Sequence, residues 1–257
     1  MKRSPGPFFA VAAVLLVVAL TAPMIAVLTA MPPDEAISRI NGSAGDALRV
    51  SLMASAAATL VATLLGVPAG YYLAGCSARV RAAALFLLAL PLAFPPVASG
   101  LMLLYALGAN SPAGGWLATH GVTVPDSLLG VAVSEFFVSG SFVAIAATAA
   151  FAAIDPIYAD AARTLGAGEW RIFSRVALPA ASSSIGAGVA FAWLRAIGEY
   201  GATSIVAYHP TSLPVALYVA LSAAGVREAL ALCYAFVVLA ALVLAAAWTL
   251  RRGVARV

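Results

Sequence analysis

Six stretches of this chain stay apolar for about twenty residues or more, and nothing else in it limits the possible folds so strongly. They run roughly from Phe8 to Ala30, Val50 to Ala74, Ala82 to Leu107, Leu128 to Ala153, Ala180 to Ala207 and Ala229 to Leu250. A helix that crosses a bilayer needs about 20 apolar residues, and these runs use up most of the 257 residues. Only 9% of the residues are charged, against roughly 25% in soluble domains, so little chain is left over for a water-soluble unit. The expected architecture is all-α: a single polytopic membrane domain over residues 1–257 with six spans. The third and fifth runs carry internal Pro, Gly or charge, so their helices are expected to bend or break.

Basic residues in the loops orient such a bundle. Lys2, Arg3, Arg79, Arg81, Arg163, Arg171, Arg175, Arg251, Arg252 and Arg256 fall on one side of the predicted membrane. The other side has Arg39, Arg49 and Arg227, while Arg195 lies within a span. The first side, with both termini, is therefore expected to be cytoplasmic. The net charge of +4 follows from this bias and implies no nucleic-acid partner. The first apolar run exceeds the 7–15 residues of a signal-peptide core and has no clear small-residue cleavage site after it. It is read as a retained helix. Cys76 and Cys233 fall in opposite leaflets, too far apart for a disulfide.

The chain carries no visible chemistry of its own. A phosphate-binding loop of the Walker type needs a lysine, and the only lysine is Lys2. His120 and His209 lie in loops without companions at metal-ligand spacing. No catalytic residues, metal or cofactor are expected.

The polar exception is the segment 154–179. Six charged residues occur between Asp155 and Arg175, flanked by apolar spans. Tyr158–Leu165 reads as a short helix, Gly166 as its left-handed terminator, and Gly168–Val176 as a second short helix with Trp170 and Phe173 three apart. Pro179 closes the element. Such a segment either rests on lipid headgroups or offers Leu165, Trp170 and Phe173, ringed by charge, to a groove on a partner.

The residues of this segment resemble the cytoplasmic signature of the inner-membrane permeases of ATP-binding-cassette importers. That signature is Glu-Ala-Ala, three residues, Gly, nine residues, Ile, one residue, Leu-Pro. Here it stands as Asp160-Ala161-Ala162, Gly166, Val176 and Leu178-Pro179, with Asp for Glu and Val for Ile. Leu90-Pro91-Leu92-Ala93-Phe94-Pro95-Pro96-Val97-Ala98-Ser99-Gly100 and Gly198-Glu199-Tyr200-Gly201-Ala202-Thr203 are similar to motifs of the molybdate, tungstate and sulfate branch. Leu213–Tyr218 and Glu228–Leu232 are similar to that branch's last outer loop and final helix, so the likeness spans Val50 to Trp248. Where that family often has a proline in the fourth span, Gly140-Ser141 stands here, which leaves the bend of that helix open.

The resemblance implies a permease that moves a tetrahedral oxyanion, molybdate or tungstate. Its implied partners are a second copy of itself, two ATP-binding-cassette ATPase subunits, an external solute-binding protein and membrane lipid. Sulfate or thiosulfate is the alternative substrate, and an ATP-independent secondary transporter or channel subunit the alternative class. Coupling to the ATPases would fall to Asp160, Ala161, Ala162, Leu165, Gly166, Trp170, Phe173, Leu178 and Pro179.

The pathway candidates are Pro91, Pro95, Pro96, Gly100, Arg195, Gly198, Glu199, Gly201 and Thr203. The three prolines remove backbone donors, and freed backbone at membrane depth faces either protein or a water-filled cavity. Both a packed kink and a pathway-lining break fit that requirement. Arg195 and Glu199 are four apart and meet on one helix face, with Glu135 at comparable depth on the fourth span. They form either a structural bridge or part of an outer gate in which Arg195 offsets a carboxylate that would repel an oxyanion. Ser182, Ser183, Ser184, Gly186 and Gly188 make the fifth span suited to close helix packing.

Overall fold

The computed structural model describes residues 7–40 and 42–254, and every regular element in it is helical. In chain order these are α1 (Pro7–Ala30), α2 (Pro33–Arg39), α3 (Gly42–Gly75), α4 (Ala78–Ala93), α5 (Pro96–Leu107), α6 (Pro112–Thr119) and α7 (Leu128–Ala152). The segment 154–179 and the rest of the chain follow as α8 (Pro156–Thr164), α9 (Glu169–Ile172), a π-helical turn Phe173–Ala177, α10 (Leu178–Ile197), α11 (Gly201–Val206), α12 (Leu213–Ala223) and α13 (Val226–Val254). Among the described residues, five helices are long and apolar enough to cross a membrane; counting the pair α4 and α5 as one bent span makes six. Arg79, Arg81 and the 154–179 segment share one end of the bundle, its basic end.

The third and fifth spans, expected to bend or break, are both interrupted, and the bounds of the fifth differ from the sequence reading. The third is not one helix: α4 and α5 meet at 105°. The fifth begins well before Ala180, since Glu169–Ile197 is long and apolar enough as a unit, and it stops at Ile197 instead of running to Ala207. Pro179 does not close a separate element. It sits in the first turn of α10, directly after the π-helical turn. A proline ring crowds the carbonyl four residues earlier, here Arg175, and a widened π turn at that place lets the helix run on. α7 passes through Gly140-Ser141 as one helix.

The core is α7 with α3 and α10 laid against it. Helices in lipid gain little from the hydrophobic effect and associate through close packing of small residues. Gly66 and Gly70 of α3 present such a face: a methyl on Gly70 would lie 2.6 Å from the Ala147 Cβ and 2.8 Å from the Thr148 backbone nitrogen. Gly188 brings α10 equally near, 2.4 Å from the Ala146 Cβ by the same measure, whereas Gly186 faces open space. Small-residue packing in α10 is thus met partly within this one chain. At the basic end, Phe151, Phe173, Ala177 and Ala181 close the core with Val67 and Val143.

The opposite end is tied by polar contacts. α1 buries none of its residues. Short α2 is held to the start of α13 by ions: Arg39 pairs with Glu35 at 3.0 Å and with Glu228 at 2.5 Å, and Arg227 reaches Glu35 at 2.9 Å. Two of the three arginines on this side are therefore neutralised by carboxylates. The Ser51 hydroxyl accepts the Leu213 N–H at 2.8 Å, fastening the first turn of α12 to α3.

Two outcomes follow. Gly70→Ala should destabilise the protein by about 1–3 kcal/mol, the usual cost of overpacking, whereas Gly45→Ala, with nothing within 4 Å, should be neutral or mildly stabilising; thermal unfolding in detergent measures both. Arg227, then Arg39, hold the Glu35 carboxyl below its ordinary range by hydrogen bonding. A carboxylate depressed in this way stabilises the docked α2 above its unfolded pKa and loses that contribution as pH falls through the lowered value. Amide exchange of residues 34–39, corrected for intrinsic rates, should therefore accelerate below the ordinary carboxylate range, and Glu35→Gln should remove the dependence.

Candidate functional site

The sequence-predicted residues gather at the two ends of one helix. At the far end of α10, two interrupted spans meet. Phe94 and Pro95 each precede a proline, which forces an extended backbone; their φ/ψ values are −80°/141° and −56°/137°. α4 therefore stops at Ala93, and α5 restarts with Pro96 at its first position, where a missing N–H costs nothing. Pro91 stays inside the last turns of α4, so the break belongs to Pro95 and Pro96. The second break follows α10, where Gly198 and Tyr200 leave the helix and Gly201 begins α11.

These breaks pack on one another through glycine. A methyl on Gly201 would lie 2.4 Å from the Pro96 Cβ, and one on Gly100 would lie 2.8 Å from the Ile205 Cβ and 2.9 Å from the Ala202 carbonyl oxygen. Pro95 and Pro96 are exposed on the outside of the chain, while Ser99, Gly100, Gly201 and Thr203 are buried. The hydroxyls of Ser99 and Thr203 have no hydrogen-bond partner.

Glu199 staples the second break. One carboxylate oxygen accepts the Ala202 N–H at 2.8 Å, satisfying a donor at the start of α11 that no helical carbonyl reaches. The other pairs with Arg195 at 2.6 Å, the carboxylate being buried and the guanidinium about one-third exposed. Glu135 of α7 is also fully buried and within electrostatic reach of Glu199, but neither of its oxygens has a hydrogen-bond partner. Glu199 thus joins the Arg195 guanidinium to the start of α11, while Glu135 lies near it with no hydrogen bond of its own. Asp126, which the sequence did not single out, braces the same region: its N–H donates to the Val206 carbonyl at 3.1 Å and its carboxylate accepts the Tyr208 N–H at 3.1 Å. Tyr200 lies against Tyr218 of α12 with ring centroids 5.1 Å apart.

At the basic end, Asp155 caps α8 by accepting the Ile157 N–H at 3.0 Å, with Pro156 at the first helical position. Gly166 ends α8 at φ +79°. Its N–H donates to the Arg163 carbonyl at 2.9 Å and the Ala167 N–H to the Ala162 carbonyl at 3.0 Å, the paired bonds of a Schellman terminator. Leu165 and Trp170 are 88% and 76% exposed, and Asp160, Ala161 and Gly166 are exposed with them.

Phe173 departs from the expected surface. It is 8% exposed, with its ring 5.0 Å from Tyr71 and 6.1 Å from Phe151 between centroids. Trp170 and Phe173 touch at 5.4 Å, yet residues three apart differ by about 60° around a helix, enough for one to face out and the next in. Leu178 packs partly on the core and Pro179 is exposed. The two ends are joined without interruption by Glu169–Ile197, 29 residues or roughly 43 Å at 1.5 Å per residue.

Comparison with known proteins agrees with this architecture. Residues 66–253 match the family described as binding-protein-dependent transport system inner membrane component. A probable molybdenum ABC transporter permease protein of Haloferax volcanii is 41% identical over 179 residues, 70% of this chain and 65% of that protein. A molybdate/tungstate transport system permease protein of Thermococcus kodakarensis is 38% identical over 170 residues, 66% of this chain and 64% of that protein. A sulfate transport system permease protein of Synechocystis is 36% identical over 156 residues, 58% of this chain and 56% of that protein. The chain thus spans a little under two thirds of the length of the first two relatives and 56% of the third. A chain from the crystal structure of a bacterial alginate ABC transporter, in complex with an alginate pentasaccharide-bound periplasmic protein, superposes with a TM-score of 0.67. It is 17% identical and covers 93% of this chain and 92% of its own, so it speaks to the fold alone. The chain belongs to the family of binding-protein-dependent transport system inner membrane components.

Proposed function

We propose that this chain is the permease subunit of an ATP-driven importer that takes a tetrahedral oxyanion, molybdate or tungstate, into the cytoplasm. It works as a pair of identical permeases with two ATPase subunits and an external binding protein, and the basic end with both termini is cytoplasmic. The observation that carries this reading is the single uninterrupted helix between the exposed 154–179 segment and the break at Gly198–Tyr200. The relatives named for molybdenum, molybdate and tungstate support the substrate class. The ion count of the loops supports the orientation.

In this reading the ATPases grip α8 and the elbow through Asp160, Ala161, Ala162, Leu165, Gly166 and Trp170. Phe173 and Leu178 root the grip in the bundle, and the exposed Pro179 carries it into α10. Motion of α10 is delivered to Gly198 and Glu199, and from there to the contact of Gly201 and Thr203 with Pro96 and Gly100. Broken backbone at membrane depth has to be covered by protein or water. The exposed face at Pro95 and Pro96, with the half-buried Pro91 beside it, accordingly meets the second copy and the ion's path. Arg195 offsets the Glu199 carboxylate that would otherwise repel an anion.

The coupling claim is tested by substituting the exposed residues rather than deleting the segment, because Ile172 and Phe173 belong to the core. Leu165→Glu with Trp170→Glu should abolish recovery of the ATPase chain in a detergent pull-down while leaving the thermal midpoint unchanged. Phe173→Ala should instead cost about 3–5 kcal/mol of stability. Retained association in the double variant would refute the assignment.

The pathway claim is tested by uptake of labelled molybdate in cells. Arg195→Ala should lower uptake by about tenfold, equivalent to ~1.4 kcal/mol, with assembly intact, and Arg195→Lys should recover part of it. Unlabelled tungstate should compete and sulfate should not. Competition by sulfate at equal strength would move the substrate to the sulfate branch.

A further inference from the structure

Helix α8 buries none of its residues and only Ala159 and Ala162 are half-buried, so side-chain packing holds its angle to the bundle weakly. Between it and the bundle lies a cavity of about 630 Å³, bounded among others by Tyr71, Cys76, Phe151, Asp155, Ala159 and Arg163. What spans this gap is a chain of polar side chains. Arg163 of α8 donates from Nη1 to Asp160 at 2.9 Å, and from Nε and Nη2 to one carboxylate oxygen of Glu169 at 3.1 and 3.0 Å. The other oxygen of Glu169 accepts from the Tyr71 hydroxyl at 3.4 Å. Tyr71 in turn is fixed in the core, with its ring 5.3 Å from Phe151 and 5.0 Å from Phe173.

We propose that Arg163 is a positioning residue, a strut that holds α8 off the bundle at a set angle and joins it to α9 and α3. The inference rests on the coupling reading of the 154–179 segment and deepens it. Without the strut, α8 would be held by the half-buried Ala159 and Ala162 and by its peptide connections, one of which passes through Gly166, the residue with φ of +79°. With it, a displacement of α8 is passed to Glu169 and so into the long helix. Asp160 acquires an intramolecular duty: it holds the side of the guanidinium that Glu169 does not, so that Arg163 presents Nε and Nη2 to its partner on α9. Exposed ion pairs add little to global stability, so losing these should loosen the angle of α8 without unfolding the chain.

The test uses the full chain in lipid nanodiscs, with Cys233→Ser and spin labels on native Cys76 and on Tyr158→Cys, an exposed position of α8. The wild-type background should give one narrow distance distribution. Arg163→Ala and Glu169→Gln should each reduce the population at that distance by about fivefold, the scale of an exposed ion pair, and the charge-exchanged Arg163→Glu with Glu169→Arg should restore it. In the assembled transporter, Arg163→Ala should keep ATPase association and ATP hydrolysis while moving fewer molybdate ions per ATP. An unchanged distribution in Arg163→Ala, or an exchanged pair as broad as the single variant, overturns the strut. Because the distances are read on the permease alone, failure of the wild-type chain to bind an ATPase would count against the coupling reading and not against the strut.

Discussion

Peptide groups freed inside a bilayer have no water to turn to, and this chain frees them twice, at Phe94–Pro96 and at Gly198–Tyr200. Most of its distinctive features answer that problem. Pro96 starts α5 at the position where a missing donor is harmless. Glu199 supplies an acceptor to α11 where the helix has none. Gly100 and Gly201 let the two broken segments approach to distances at which a single methyl would collide with backbone or proline. Each break is thus stabilised by the other, and a shift in one has to be felt by its neighbour.

The two ends of α10 differ in how firmly they are held. At Arg195–Glu199 the carboxylate is buried, and removing one partner of a buried pair typically costs ~3–5 kcal/mol. The one-third exposure of Arg195 lowers that figure but leaves it well above the ~1 kcal/mol of an exposed pair. At Arg163 every partner is exposed. The break is therefore the more firmly held end, and the set angle of α8 is the one that can be shifted at lower cost. That ordering suits the proposed coupling, in which a partner grips the more weakly held end and a rigid helix moves a well-defined contact. Phe173, wedged among Tyr71 and Phe151, anchors the gripped end.

Much of this was legible in local sequence. The apolar runs, the double proline and the Gly-Glu-Tyr-Gly motif act through backbone rules that need no distant partner, so the spans and their interruptions could be read directly. The elbow at Gly166 was legible for the same reason. The burial of Phe173 was not, because its partners Tyr71 and Phe151 lie far off in the chain. The continuity of α9 with α10 was hidden by Pro179, which reads as a boundary unless a π turn accommodates it. Short α2, α6 and α12 are too brief for hydropathy to distinguish from loops. The bracing role of Asp126 depends on a contact 82 residues away. The isolation of Glu135 from any hydrogen bond became visible only once α7 and the Glu199 break were brought together.

The central claim is that what happens at the 154–179 segment is felt at the second break. Thr203, buried where α11 meets α5, reports on that break directly. In the assembled transporter, with Cys76→Ser and Cys233→Ser, the rate at which a water-soluble maleimide modifies Thr203→Cys should differ between the nucleotide-free state and the state trapped with ATP and vanadate. Equal rates in the two states would contradict the account.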